Sequence, residues 1–289
     1  MKPVSCTTFI KNNQVGGFAL WESMATMLAL PIEEFVVLDL GSDDGTLEYL
    51  REIATNNSRV RLERGEWPLV DGKVDAHSFA LVMNQAIDLC KTEVVIPYQA
   101  DEVFAPKLLD MTVEHWEQEK YFLSYWRFQI QENFQKCRWF PHLICRCFEK
   151  GKESFCGDGM NIEHVWDATL VSTWNGGWFQ RWGEEYRDRP HELPTDEMVN
   201  DCHANFSKNM TSWKKLHAPF WAESGESVDG IPCEEFDRRA AENPLLSLIT
   251  SPYWLPPILR GCVGMGQYKV RPELIQSLCE DRTAELVRG

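Results

Sequence analysis

Two acidic segments, each shortly after an apolar run, are the parts of this chain best suited to chemistry. Asp101 and Glu102 follow the run at 94–98 after two intervening residues, and Asp39 directly follows the run at 35–38. Short continuous apolar runs bounded by polar residues are typical of strands buried on both faces. Carboxylates that follow such strands are oxygen ligands for a hard divalent cation, Mg²⁺ or Mn²⁺, which also binds phosphates.

The elements that would position these acids alternate along the first third of the chain. Helical periodicity and apolar runs predict three helices between four strands, and the strands lie at 4–10, 35–40, 59–63 and 94–97. Such alternation predicts an α/β fold whose mainly parallel sheet carries helices on both faces. The carboxyl ends of parallel strands form one edge, where ligands of open α/β sheets bind.

Beyond residue 104 the alternation stops. A helix is predicted near 108–116, long strands at 121–130 and 138–148, and an amphipathic segment at 272–286. The stretch after 150 is rich in glycine, tryptophan and acidic residues, and is expected to form the second wall of a cleft.

Composition limits the class of protein. The 289 residues carry 29 Lys and Arg against 44 Asp and Glu, so the net charge of −15 disfavours long nucleic-acid and anionic-membrane interfaces. An apolar run of about 18 residues and a signal core are both lacking. The ten cysteines contain no Cys-x-x-Cys spacing. We therefore expect a cytoplasmic protein with reduced thiols.

Three segments in chain order resemble the family 2-like glycosyltransferases of the GT-A fold. Residues 10–12 (Ile-Lys-Asn) match the end of the family's first strand, and residues 39–46 match its Asp-Asp-Gly-Ser-Thr-Asp-Gly-Thr motif. Residues 99–102 (Gln-Ala-Asp-Glu) match the Asp-x-Asp motif. The resemblance covers about residues 4 to 110 and implies a GT-A three-layer sandwich with a C-terminal acceptor-side region.

The resemblance also implies roles for individual residues. Asp39 would accept hydrogen bonds from the base of a nucleoside diphosphate sugar, and Thr8 and Lys11 would line the base pocket. Asp101 would hold a Mn²⁺ or Mg²⁺ ion on the diphosphate. The helix that begins after Ser42 would offer free backbone N–H groups to the ligand.

Three further residues complete the expected donor site. Lys73 would add a positive charge near the phosphates, and Gln99 and Glu102 flank Asp101 in the same turn. The chain departs from the family at Leu40, which replaces an Asp, and at Gln99, which replaces the first Asp of Asp-x-Asp. Because Gln99 brings no negative charge, metal binding would rest on Asp101 and the diphosphate itself, and both a metal-dependent and a metal-independent reaction stay open.

An inverting transfer needs a carboxylate that deprotonates the acceptor hydroxyl, and this group is expected in the second half. Asp158, between two glycines, is the first candidate, although turn aspartates commonly bond their own backbone. Asp196 and Glu197 are the second. The helical spacing of Trp174, Trp178 and Trp182 fits core packing better than stacking on a ligand.

The expected organisation is a nucleotide-sugar half at 1–110, an acceptor-side half at 111–241 and a C-terminal extension at 242–289. The acceptor stays open among a glycan, a small molecule, a protein and a modified nucleobase, and so does the oligomeric state.

Two other classes compete with sugar transfer. The glycine-rich turn at 36–42 also resembles S-adenosylmethionine-dependent methyltransferases, with Glu63 on the ribose, although Asp43 stands where that motif has glycine. A catalytically silent binder of sugar nucleotides or carbohydrate is compatible with Gln99.

Overall fold

The computed structural model describes most of the first 121 residues and shorter parts of the remainder. The described residues are 1–16, 18–69, 72, 74, 76–100, 102–104, 106–121, 123–131, 136–137, 142–151, 153–156, 161–166, 169–172, 201–203, 231–232 and 270–288. The helices are α1 (Asn13–Gly16), α2 (Leu20–Leu28), α3 (Thr46–Asn56), α4 (Ala76–Leu89), α5 (Pro106–Glu117), α6 (Pro272–Cys279) and α7 (Thr283–Arg288).

Strands alternate with helices as far as β4, as predicted. Among the described residues, most of the later strands follow one another without a helix between them. The strands are β1 (Val4–Ile10), β2 (Glu34–Asp39), β3 (Val60–Arg64), β4 (Val94–Pro97), β5 (Val103–Phe104), β6 (Leu123–Gln131), β7 (Lys136–Cys137), β8 (His142–Glu149), β9 (Glu153–Cys156), β10 (Asn161–Trp166), β11 (Thr169–Ser172), β12 (Asp201–His203) and β13 (Ile231–Pro232).

The sheet begins parallel and becomes antiparallel. Strands β4, β1, β2 and β3 lie side by side and run parallel, which confirms the predicted α/β class. On the other side of β4 the sheet continues with antiparallel β8, β6, β7 and β13. A second sheet pairs β9, β10 and β11. The change of direction coincides with the loss of helical crossovers, which parallel neighbours require.

The parallel strands are buried on both faces because helices cover each side. Cys6 and Ile10 of β1 belong to the core cluster that includes α2, whereas the hydroxyl of Thr7 points the other way and donates to the Ala86 carbonyl of α4 at 3.2 Å. Strand β2 is also buried on both faces, because Phe35 belongs to the cluster that includes α2 and Val36 packs against α4. Continuous apolar runs, rather than alternation, are what two-sided burial produces.

Helix α2 lies entirely inside the protein. All nine of its residues are buried, including Glu22, Ser23 and Thr26. One side packs against the sheet, where Cys6 of β1 contacts Met27, and helices α6 and α7 pack against the helix as well. The amphipathic segment predicted near the end of the chain is thus two helices that complete the core of the first half.

Polar contacts fix the two terminal helices in place. The Arg271 guanidinium lies 3.0 Å from the carboxylate of Glu22, which is fully buried. The Asn57 amide donates to the Leu278 carbonyl at 2.7 Å, and Arg59 pairs with Asp281 in the turn between the helices. In the described residues, none of the helices has the length and apolar character needed to cross a membrane.

The buried carboxylate of Glu34 anchors the amino end of β2. It accepts hydrogen bonds from the Ser5 hydroxyl at 3.0 Å and the Lys91 amide at 2.5 Å, and it pairs with Arg61 at 3.2 Å. Burial alone would raise the pKa of Glu34, but these hydrogen bonds and the Arg61 charge outweigh it and hold the pKa below its usual value near 4.5.

This lowered pKa predicts an acid-sensitive contribution to stability. The unfolded chain takes up the proton first, so the contribution is present above pH 4.5 and is lost as the pH falls through the lower folded value. We expect Glu34→Gln to flatten the pH dependence of the free energy of unfolding below pH 4.5, measured by urea unfolding. Glu48→Gln, which changes an exposed carboxylate, should leave that dependence intact.

Candidate functional site

The carboxyl ends of the four parallel strands form one edge of the sheet. Ile10 of β1 lies opposite Asp39 of β2, Asp39 lies opposite Arg64 of β3, and Thr7 lies opposite Pro97 of β4. Neighbouring strands are about 4.8 Å apart, and β4 ends opposite Thr7, three residues before the level at which β2 ends, so the ends of β2 and β4 lie roughly 14 Å from each other, on either side of β1. The two acid-bearing turns therefore open on the same edge.

Asp39 is a fully buried carboxylate at this edge. Its Oδ1 atom accepts the backbone N–H groups of Gly41 and Ser42, each at 3.1 Å, and lies 3.4 Å from Nε of the half-exposed Arg64. Gly41 has a φ of 85°, a conformation that side chains disfavour, and this lets the turn fold back on the carboxylate. Since a carboxylate offers about four lone-pair sites, Asp39 keeps capacity for a ligand donor.

The turn after β1 is bonded to the turn after β2. The Asn12 amide donates to Asp43 at 2.8 Å and accepts the Asp43 N–H at 2.9 Å, while the Asn12 N–H donates to the Ser42 hydroxyl at 2.9 Å. Asn12 adopts a positive φ of 55°, which Asn tolerates better than most residues. These bonds hold the turns after β1 and β2 together at this edge of the sheet.

The predicted base-pocket residues Thr8 and Lys11 lie on β1 and directly after it. Thr8 is fully buried and alternates with Phe9, so it shares the α2 side of the sheet with Asp39. Lys11 is half-buried in the turn that carries Asn12. The structure thus brings both residues to the strand end that Asp39 occupies, together with the nearly buried Ser42.

Two hydrogen bonds between Gln99 and Glu102 close the turn after β4. The Glu102 N–H donates to the Gln99 carbonyl at 3.0 Å, and Oε2 of Glu102 accepts the Gln99 N–H at 3.2 Å. Glu102 is fully buried, so its carboxylate faces the protein. The remaining candidates lie outside the described residues, namely Lys73, Asp101, Asp158, Trp174, Trp178, Trp182, Asp196 and Glu197.

Comparison with models of protein families shows which family this chain belongs to. The sequence model described as glycosyl transferase family 2 matches residues 19–166, just over half of the chain. The chain belongs to glycosyl transferase family 2. The α/β sandwich of the GT-A type is confirmed with it. A comparison with curated protein sequences gave no match.

Solved structures similar to this family 2 chain include TarS from S. aureus, its 1–349 form in complex with UDP, and the mannosyltransferase PcManGT from Pyrobaculum calidifontis in complex with GDP-Man and Mn²⁺. Sequence identities are 16%, 16% and 19%, each with a TM-score of 0.31. The matches cover 45%, 45% and 46% of this chain. The chain spans only 22%, 36% and 36% of those three chains.

A divalent cation, which the family 2 resemblance implies, would need ligands at this edge. Among the described residues there is no group of three His, Cys, Asp or Glu side chains that could hold one. Asp39 already bonds two N–H groups and Arg64, and Glu102 points inward. The described residues alone therefore do not make a cation site, and an ion here would depend on Asp101 and on the phosphates of the donor.

The structure gives contacts at this edge to two residues, Arg64 and Asn12, to which the sequence patterns assigned no individual role. Arg64 reaches Asp39 because β3 runs one residue beyond the predicted strand, and the register of β2 with β3 places the two side by side. Asn12 bonds Asp43 through its side chain. Both residues stand at or just after a predicted strand end, and this position was the only signal in the sequence. The partner of each side chain follows from tertiary contacts, such as the register of β2 with β3.

Proposed function

We propose that this family 2 chain moves a sugar from a nucleoside diphosphate sugar to an acceptor hydroxyl, with inversion at the anomeric carbon. The observation that carries the proposal is the buried carboxylate of Asp39 at a strand end, on the same edge as the carboxyl end of β4. Family membership supports the donor class. A pure acceptor in this position can select an N–H group of a nucleotide base.

In the proposed reaction the acceptor oxygen bonds the anomeric carbon as the bond from that carbon to the diphosphate breaks. Positive charge grows on the sugar and negative charge on the leaving phosphate. The N–H groups at the start of α3 would oppose that negative charge, while Lys11 would line the base pocket, as the family resemblance implies. A Mn²⁺ or Mg²⁺ ion, when bound, would neutralise the diphosphate further.

The proton of the acceptor hydroxyl has to pass to a carboxylate. We assign this role to Asp158 first, and to Asp196 or Glu197 second, on the basis of the sequence. The acceptor itself belongs to one of four classes, a glycan, a small molecule, a protein or a modified nucleobase.

Release of nucleoside diphosphate tests the proposal. The chain is incubated with uridine and guanosine diphosphate sugars, with and without Mn²⁺, and with acceptors of each class. We expect one donor to be consumed in an acceptor-dependent manner. Binding of a donor without any turnover would favour a silent sugar-nucleotide binder, which Gln99 in place of an acidic residue makes the second candidate.

S-adenosylmethionine is the ligand that separates the methyltransferase hypothesis from the proposal. In the structure Glu63, the expected ribose partner, pairs with Arg61. A ligand that binds only the folded state raises its melting temperature. We expect a nucleoside diphosphate to raise it and S-adenosylmethionine to leave it unchanged.

The affinity for nucleoside diphosphate should depend on Asp39. In Asp39→Asn, an amide NH₂ group replaces one acceptor oxygen next to the N–H groups of Gly41 and Ser42, and the acceptor for the base is weakened. A hydrogen bond to a charged group contributes about 1.5–3 kcal/mol, so the Kd should rise roughly 10- to 100-fold. Calorimetric titration measures it, and Glu48→Gln is the charge-matched control. An unchanged Kd would place the base elsewhere.

A further inference from the structure

Two buried hydroxyls of helix α2 contact the backbone that follows the β4 turn. The Ser23 hydroxyl donates to the carbonyl oxygen of Glu102. The Thr26 hydroxyl donates to the Ser23 carbonyl at 2.8 Å and accepts the N–H of Phe104 at 3.4 Å. Both side chains are fully buried, so water does not compete for these bonds.

The segment they contact is held on its other side as well. Strand β5, which is Val103 and Phe104, pairs with β12 through Phe104 and Asp201 and through Val103 and Cys202. Within the turn, Gln99 and Glu102 bond each other twice, once through the Glu102 carboxylate. The backbone on both sides of Asp101 in sequence is therefore fixed by α2, by β12 and by its own turn.

The location of these hydroxyls is informative because the residues of α2 other than Glu22, Ser23 and Thr26 are apolar. Ser and Thr inside a helix usually bond only their own helix backbone, and they are poorer helix formers than Ala or Leu. Here Ser23 donates to a different segment, and Thr26 bonds both its own helix and that segment. Burial of an apolar side chain at either position would remove one hydrogen bond from the backbone of the segment.

We propose that Ser23 and Thr26 are positioning residues that fix the backbone at 102–104, the segment that directly follows Asp101 in sequence. Glu102 acts with them through its inward carboxylate and does not contact the donor. The catalytic part of this inference rests on the proposed sugar transfer. Misplacement of a reacting group by 1 Å can cost on the order of 100-fold in rate, so two hydroxyls that contact no reactant can still control turnover.

The test uses Ser23→Ala and Thr26→Val in the full chain, with Thr92→Val as the matched control. Thr92 is a nearly buried hydroxyl at the opposite end of β4, where it bonds Ser5 at 2.8 Å and the Val94 carbonyl at 2.6 Å. We expect kcat to fall about tenfold or more in both α2 variants, as misplacement predicts, with a smaller change in KM for the donor. Thr92→Val should keep kcat, and Thr26→Ser, which retains the acceptor oxygen, should restore it.

Amide hydrogen exchange gives a second readout that needs no turnover. The Phe104 N–H should exchange faster in Thr26→Val, because its acceptor is gone, but not in Thr92→Val. Unchanged exchange at 102–104 together with wild-type kcat in both α2 variants would overturn the inference. If Thr26→Val does not fold, Ser23→Ala, which removes a single oxygen, decides by the same two measurements.

The two proposals can fail separately. A wild-type chain that releases no nucleoside diphosphate contradicts the proposed function, and the exchange rates still show whether the hydroxyls fix the segment. Wild-type turnover combined with unaffected α2 variants contradicts only the positioning role.

Discussion

Turnover of the Asp101→Ala variant is expected to fall by roughly 10²- to 10³-fold, the loss typical when one charge-stabilising group is removed from an active site. In sequence Asp101 stands between Ala100 and Glu102, after β4, whose carboxyl end lies on the same edge of the sheet as that of β2. The resemblance to the family assigns it the diphosphate and its metal. The fold should be little affected, since Gln99 and Glu102 bond each other on either side of Asp101 in sequence.

Steady-state kinetics and thermal unfolding together check this expectation. Glu93→Ala is the control, because it removes an exposed carboxylate from the opposite end of the same strand, where it pairs with Lys2. Loss of rate in Asp101→Ala alone, with similar melting temperatures for all three proteins, supports the assignment. Equal rates in the two variants would remove Asp101 from the site.

Replacement of Arg271 by alanine is expected to lower the free energy of unfolding by roughly 3 kcal/mol, because the fully buried carboxylate of Glu22 loses a charge partner. The matched control is Arg288→Ala. Arg288 pairs with Asp110 at 2.7 Å, but both side chains are about half exposed, at 52% and 49%. Exposed pairs contribute little, so this variant should lose less than about 1 kcal/mol.

Urea unfolding of the wild type, Arg271→Ala, Glu22→Gln and the double variant measures the coupling between Glu22 and Arg271. Glu22→Gln in the Arg271→Ala background removes the buried charge, and we expect it to recover part of the lost stability. Similar small losses in Arg271→Ala and Arg288→Ala would show that the terminal helices do not depend on this ion pair.

The parallel part of the sheet could be predicted because its strands carry their own signal. Residues 94–97 and 35–38 are continuously apolar, and helices buried against them repeat at the helical period. Strand β5 could not be predicted in this way. It is two residues long, and it forms because β12, far along the chain, supplies its partner. Pairing between distant segments leaves no local pattern.

The site was predictable at the level of strand ends and not at the level of side-chain direction. Asp39 lies at the edge that its position after an apolar run indicates. Glu102 has the same kind of position, yet its carboxylate bonds the Gln99 N–H inside the protein, because β5 and α2 draw the chain inward there. Arg64 meets Asp39 only through the register of β2 and β3. Roles for individual side chains depend on such tertiary contacts.

The burial of α2 has a consequence for how the protein is made. A ribosome produces residues 20–28 early, but α6 and α7, which pack on that helix, emerge more than 200 positions later. During synthesis the nascent chain therefore displays an apolar helix without its full cover, the kind of surface that chaperones bind and that promotes aggregation. The core around α2 can be completed only after α6 and α7 have left the ribosome.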